Sequence, residues 1–255
     1  MGAWPTVNST CATDIRFDCT GCGKCCSGHH VPLTLSEARQ WAGAGGQVIV
    51  LIEAFLANGL GLPAEQREHA MRRSWPVPCG SSEAWVTITF AAFNPGRCRN
   101  LDADNRCGIY ETRPLVCRIY PMEINPHIPL RAEAKDCPSE AWQSGPALIH
   151  GEQLVDRRLA ELIERSRQAD RDDIRAKVAI CQALGIDVSA LKGNGFTAYL
   201  PDTSALAQAL QQPLLDQPIA PWSLHVLDPA LSAELEACGA QVRSEPGVYY
   251  SFIGF

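Results

Sequence analysis

The chain has 255 residues, enough to bury a full hydrophobic core without covalent staples, in one large domain or two small ones. Its formal charge of −6 is uneven, because residues 186–255 carry seven carboxylates against Lys192 and Arg243, a net −5, and the remainder is close to neutral. Neither part has the basic excess that a phosphate backbone or an anionic lipid surface requires, so the expected partners include no nucleic acid and no membrane.

Taken in chain order, the first residues lack the basic start and apolar run of a secretory signal. A cytoplasmic protein with reduced cysteines is therefore expected. Gly2 and Thr6 fit a loose myristoylation pattern, of a kind that short motifs match by accident. Thr34-Leu-Ser-Glu37 reads as a capping box opening a helix through Trp41, stopped by the glycines at 43, 45 and 46. The longest apolar run, 48–57, falls short of a membrane span and contains Glu53. Residues 85–90 alternate as a strand, with Val86, Ile88 and Phe90 on one face. Residues 94–129 are dense in Pro, Asn, Asp and Cys and read as loops held by something other than a large apolar core. Helices are expected at 152–167 and 170–184, then a strand at 196–200, a helix at 204–211, a strand at 222–227 and a helix capped by Asp228 and ended by Gly239. A hairpin of 241–243 and 248–253, turned at Glu245-Pro246-Gly247, closes the chain. The expected fold class is α+β: a loop-rich, metal-organised cysteine-cluster domain over 1–150, a helical extension over 151–185 and a small acidic α/β domain over 186–255.

Of the 12 cysteines, ten lie between Cys11 and Cys137. Cys19-Thr-Gly-Cys22-Gly-Lys-Cys25-Cys26 has the two-residue spacing that lets successive thiolates converge, with Gly21 and Gly23 supplying tight turns. Cys98, Cys107 and Cys117 follow at longer intervals, and then Cys137-Pro138. Without an export signal these thiols read as metal ligands rather than disulfides. Soft thiolates select zinc, copper(I) or iron–sulfur clusters. Cys19, Cys22 and Cys25 reproduce the first three ligands of a bacterial ferredoxin run, and the fourth ligand is left open among Cys137 and the cysteines at 98, 107 and 117. The long gaps of the second group argue against paired zinc knuckles. Because Cys25 and Cys26 are adjacent, their side chains point apart, which favours two metal positions or a polynuclear cluster over one isolated zinc.

The set Cys19-x2-Cys22-Gly23-x-Cys25-Cys26, with the run from Cys98 to Cys107-Gly-Ile-Tyr110-Glu111-Thr-Arg113-Pro114-Leu-Val-Cys117-Arg118-Ile-Tyr120-Pro121, resembles the YkgJ-type cysteine-cluster proteins over roughly residues 15–140. That resemblance implies zinc or iron chelation and a ferredoxin-like or oxidoreductase role. The flagellin lysine methylases are similar in the same cysteine pattern, but this chain is short for that enzyme and only the cluster carries over.

Arg113 and Arg118 flank Cys117, where a guanidinium would offset thiolate charge; equally, they would pair with Glu111 or Glu123 and hold a loop. Tyr110 and Tyr120 would shield the centre from water or serve as ordinary core aromatics. His29 and His30 are close enough to donate a nitrogen, although a solvated pair fits as well. Cys11 and Cys79 are further candidates by proximity alone. Three readings follow: an iron–sulfur protein, 4Fe–4S by preference, in electron transfer or as an iron-dependent oxidoreductase with a redox partner; a zinc-stapled module whose acidic C-terminal part binds a protein; and a mononuclear or dinuclear iron enzyme.

Overall fold

The computed structural model describes residues 14–60, 62–151, 153–245 and 247–254. In chain order its strands and α-helices begin with β1 (Ile15–Arg16), β2 (Val31–Leu33), α1 (Leu35–Gly43) and β3 (Val48–Leu56). There follow α2 (Arg67–Arg72), β4 (Trp75–Cys79), β5 (Ser82–Ala92), α3 (Leu115–Ile119), β6 (Ala147–His150) and β7 (Gln153–Leu154). The rest is α4 (Arg157–Ala183), β8 (Val188–Leu191), β9 (Gly195–Tyr199), α5 (Thr203–Gln211), β10 (Ser223–His225), α6 (Pro229–Ala237), β11 (Val242–Arg243) and β12 (Ser251–Gly254). The class is α+β, as expected.

The apolar run at 48–57 is the central strand of the sheet. β3 is buried along nearly its whole length, as a strand covered on both faces must be, and the carboxylate of its Glu53 is neutralised by an ion pair with Lys192. β5 lies antiparallel along all nine residues of β3, with β2 and β4 on the other edge of β5. On its opposite edge β3 takes up β8 in parallel at Glu53 and Ala54, and β9 antiparallel at residues 50–52. β10 and β11 extend the parallel edge, and β12 pairs with β9. The sheet therefore crosses the boundary expected at residue 186: the strands of 186–254 are bonded into a core that 48–92 founds.

Two further expectations are corrected. The terminal hairpin does not form, since β11 joins β10 and β12 joins β9. The physical reason is the α6 crossover, which delivers β11 parallel beside β10, and Gly195, whose missing Cβ (φ +145) lets the Ile253 carbonyl approach. Pro246 of the expected turn lies outside the described residues. In place of two helices there is one, α4, continuous through Asp170, because Gln168 and Ala169 are good helix formers and nothing interrupts the ladder. It starts at Asp156, whose side chain caps the Leu159 amide at 3.0 Å, while 153–154 are strand and Glu152 lies outside the described residues.

Helix α4 ties two apolar cores together. Its C-terminal half sends Ile174, Val178, Ile180 and Cys181 into the sheet core, and its first half sends Leu159 and Ile163 into a smaller one. The smaller core is built on Phe17, Leu115, Ile119, Ala141 and Leu148, with Tyr120, Trp142 and Cys137 packed against it. The loops at 94–142 therefore do rest on an apolar base, a modest one.

Candidate metal centre

Two loops meet to form the cysteine site. In the first, Gly23 takes φ +73 and caps the 3-10 turn of Lys24–Cys26. A Cβ at Gly23 would stand 3.1 Å from the Asn105 side chain, so a larger residue would push the two loops apart. In the second loop, Leu101 bridges Cys107, and the Asp102 carboxylate accepts from the amides of Asp104 (2.9 Å) and Arg106 (2.8 Å). That turn places Cys98 and Cys107 at the two ends of one tight loop.

The loops are joined by backbone. The Cys98 amide donates to the Cys26 carbonyl at 2.8 Å, and the Gly28 amide donates to the Gly96 carbonyl at 2.8 Å. Asn94, 5 % exposed, completes the junction: its side-chain amide donates to the carbonyls of Cys26 (3.3 Å) and His29 (3.1 Å), and its backbone N–H donates to His30 Nδ1 at 3.0 Å. Helix α3, which carries Cys117, is held from α1: Glu37 Oε1 accepts from the Leu115 amide at 2.7 Å, while its Oε2 accepts from Thr34 N at 2.9 Å within the capping box. Sequence reading identified Glu37 only as a cap and missed Asn94; neither long-range partner leaves a local pattern.

The electrostatics sort the eight thiols into two sets. Cys25 is raised by its hydrogen bond to Cys26 and by burial, and the charges of Cys26, Cys19 and Cys137 act on it as well. Cys137 is raised by burial, eased by Tyr120, and feels Cys22 and Cys19. Burial pushes Cys117 up to about 12, with Cys26, Cys98 and Cys107 adding and Arg113 opposing. Cys98, also raised by burial, feels Cys26 and Cys107. One set is thus Cys19, Cys22, Cys25 and Cys137; the other is Cys26, Cys98, Cys107 and Cys117. They touch at the adjacent Cys25 and Cys26, whose sulfurs are 3.8 Å apart. That contact lowers Cys26 to about 6, assisted by Arg113 and His29 against burial, because its thiolate is bonded by the neighbouring thiol.

The donor chemistry fits a thiophilic metal. Among the described residues, no three Cys, His, Asp or Glu donors are already closed to an ion-binding arrangement. Sulfurs around one zinc at 2.3 Å would lie about 3.8 Å apart, so loading draws the loops inward.

The remaining candidates separate clearly. The Arg113 guanidinium stacks on Tyr110 at 3.7 Å, donates to the Tyr110 carbonyl at 3.0 Å and bears on Cys26 and Cys117; the Arg118 side chain makes no ion pair or hydrogen bond among the described residues. Neither arginine pairs with Glu123, which holds Lys135. Tyr110 is 54 % exposed and shields nothing, whereas Tyr120 Oη lies 3.1 Å from Cys137 Sγ. His29 is exposed on Asp136 at 2.7 Å, and His30 stacks on Phe93. Cys79 and Cys181 are fully buried in the sheet core, away from the cluster, and Cys238 is exposed near Asn58. Cys11 lies outside the described residues.

No helix of the described residues is long and apolar enough to cross a membrane. No curated protein and no solved structure matches the chain. Residues 18–139, just under half of the chain and containing both thiol sets, match the family model described as CxxCxxCC, putative zinc- or iron-chelating domain, which supports metal binding by this segment.

Proposed function

We propose that this protein holds metal at both thiol sets, with a 4Fe–4S cluster on Cys19, Cys22, Cys25 and Cys137, and serves electron transfer or redox catalysis. The observation that carries this reading is the identity of the fourth thiol in the first set. Cys19-x2-Cys22-x2-Cys25 joined by a distal Cys-Pro is the ligand pattern of a bacterial-type cluster, and Cys137 is followed by Pro138. Bound there, such a cluster would supply one-electron chemistry. The chain's own part is to hold the sulfurs. Tyr120 directs its hydroxyl at Cys137, and the small core under Phe17 and Trp142 keeps water from that side. In the second set Arg113 offsets thiolate charge at Cys26 and Cys117, so this position would take a zinc ion or a second iron centre.

One observation favours the zinc-stapled alternative. The 3.8 Å between the Cys25 and Cys26 sulfurs equals the edge of a thiolate tetrahedron around zinc, which would let both serve one ion. Anaerobic purification with iron, zinc and acid-labile sulfide analysis decides between them. The proposed function requires sulfide, iron and a visible absorbance that dithionite bleaches; colourless protein with zinc alone rejects it.

A further inference from the structure

One of the candidate ligand sulfurs is met by a side-chain hydroxyl. Tyr120 Oη lies 3.1 Å from Cys137 Sγ, and among the described residues no other sulfur of either thiol set has a side-chain oxygen or nitrogen as its hydrogen-bond partner. Chemistry fixes the direction of that bond, because a metal-bound thiolate has no proton to give and a tyrosine hydroxyl has one. The ring is held from several sides. Tyr120 follows α3, and its backbone N–H donates to the Val116 carbonyl at 3.0 Å, closing that helix. Its ring meets Phe17 edge-on at 6.1 Å, and Lys135, which is paired with Glu123, places Nζ 5.5 Å from the ring centre.

A phenol that merely needed a partner would be served better by a carbonyl or a carboxylate, since sulfur is a weak acceptor until it is ionised. Asp136, the neighbour of Cys137 in the chain, is instead taken by His29 at 2.7 Å. A hydrogen bond to a ligand sulfur draws electron density from it and strengthens as the centre gains negative charge, so it favours the reduced state. We infer that Tyr120 sets the potential of the centre on Cys19, Cys22, Cys25 and Cys137, acting through the Cys137 sulfur and raising that potential. The inference rests on the iron–sulfur reading of this set. One electron enters on reduction and no proton moves: the hydroxyl keeps its hydrogen in both states, and only the strength of the bond changes. The second set has the Arg113 guanidinium near Cys26 and Cys117 instead, so the two positions are tuned by different side chains.

Redox titration of the full metal-loaded chain and of Tyr120→Phe, followed by visible absorbance, tests it. Tyr120→Phe keeps the ring and removes only the donor. The variant should retain its iron and acid-labile sulfide, and its equilibrium constant for reduction should fall about tenfold, the effect of one hydrogen bond. For one electron that lowers the midpoint by about 59 mV. Tyr249→Phe, at a position 88 % exposed, should leave the midpoint unchanged. Should Tyr120→Phe lose its metal, 3-fluorotyrosine at position 120 serves in its place: it is a stronger donor of nearly the same size and should move the midpoint upward, a direction that loosened packing does not predict. An unchanged midpoint in Tyr120→Phe with iron and sulfide intact, or no upward shift with the fluorinated ring, would overturn the inference and leave the iron–sulfur reading standing. Colourless protein without sulfide would remove both.

Discussion

Single side chains decide how the thiols are presented. Asn94 is the clearest case, because three of its hydrogen bonds cross between the two cysteine loops and it is almost wholly buried. Asn94→Ala removes the side-chain donor from the His29 carbonyl and one of two donors from the Cys26 carbonyl, which keeps the Cys98 amide, and should cost about 1–3 kcal/mol. Metal retention against a chelator should fall with it, while Asn58→Ala, at an exposed position, should leave both unchanged. A second residue-scale effect is visible in pH. An unfolded histidine takes up its proton near pH 6.5, whereas native His69 does so only near about 4. Between those values the unfolded chain binds more protons, so stability falls as pH drops through that window and is fully present above it. Because the ring is partly exposed, the contribution is on the order of 1 kcal/mol. Denaturant midpoints across the window should show this slope in the native chain and a shallower one in His69→Gln, in which His30 and His225, also lowered by burial, still contribute.

At the scale of elements, α4 is the spine on which both cores are hung, and its interior charge pair is its point of weakness. Lys177 is buried and depends on Asp170. Asp170→Ala strands that ammonium and should cost about 3–5 kcal/mol, whereas Lys177→Met, which leaves Asp170 paired with Arg73, should be close to neutral. Thermal unfolding of the two variants checks the asymmetry; equal losses would mean that packing, rather than charge burial, dominates there. Elements with local signatures were legible in the sequence. The capping box of α1 and the Asp228 cap with Pro229 of α6 are short-range chemistry, and both form as read. The continuity of α4 through residue 168 was not legible, because a stretch of polar surface on a long helix looks like a linker when its two buried faces serve different cores.

Across the whole molecule, the cysteine loops and the sheet are chemically separate but share the chain. The thiols were legible from spacing alone, and the adjacency of Cys25 and Cys26 already favoured two metal positions or a polynuclear cluster over one isolated zinc. What spacing could not give was the assignment of Cys137 to one set and of Cys98, Cys107 and Cys117 to the other, since loop closure depends only weakly on length. Nor could it show that the acidic C-terminal strands pair with β3, because pairing partners far apart in sequence leave no periodic trace. Two consequences follow at this scale. A fragment of residues 186–255 lacks β3 and should show no cooperative unfolding transition. Stripping metal from the full chain should raise amide exchange in 18–30 and 94–137 and leave β3 and β5 protected, because their core is apolar and complete.

The central claim is that the thiols form two centres that divide between Cys25 and Cys26, and metal stoichiometry by native mass spectrometry tests it most directly. The intact chain should carry two centres; Cys25→Ala should lose the one on Cys19, Cys22 and Cys137, and Cys26→Ala should lose the one on Cys98, Cys107 and Cys117, each variant retaining the other. A single centre in the intact chain, lost alike in both variants, would contradict the account.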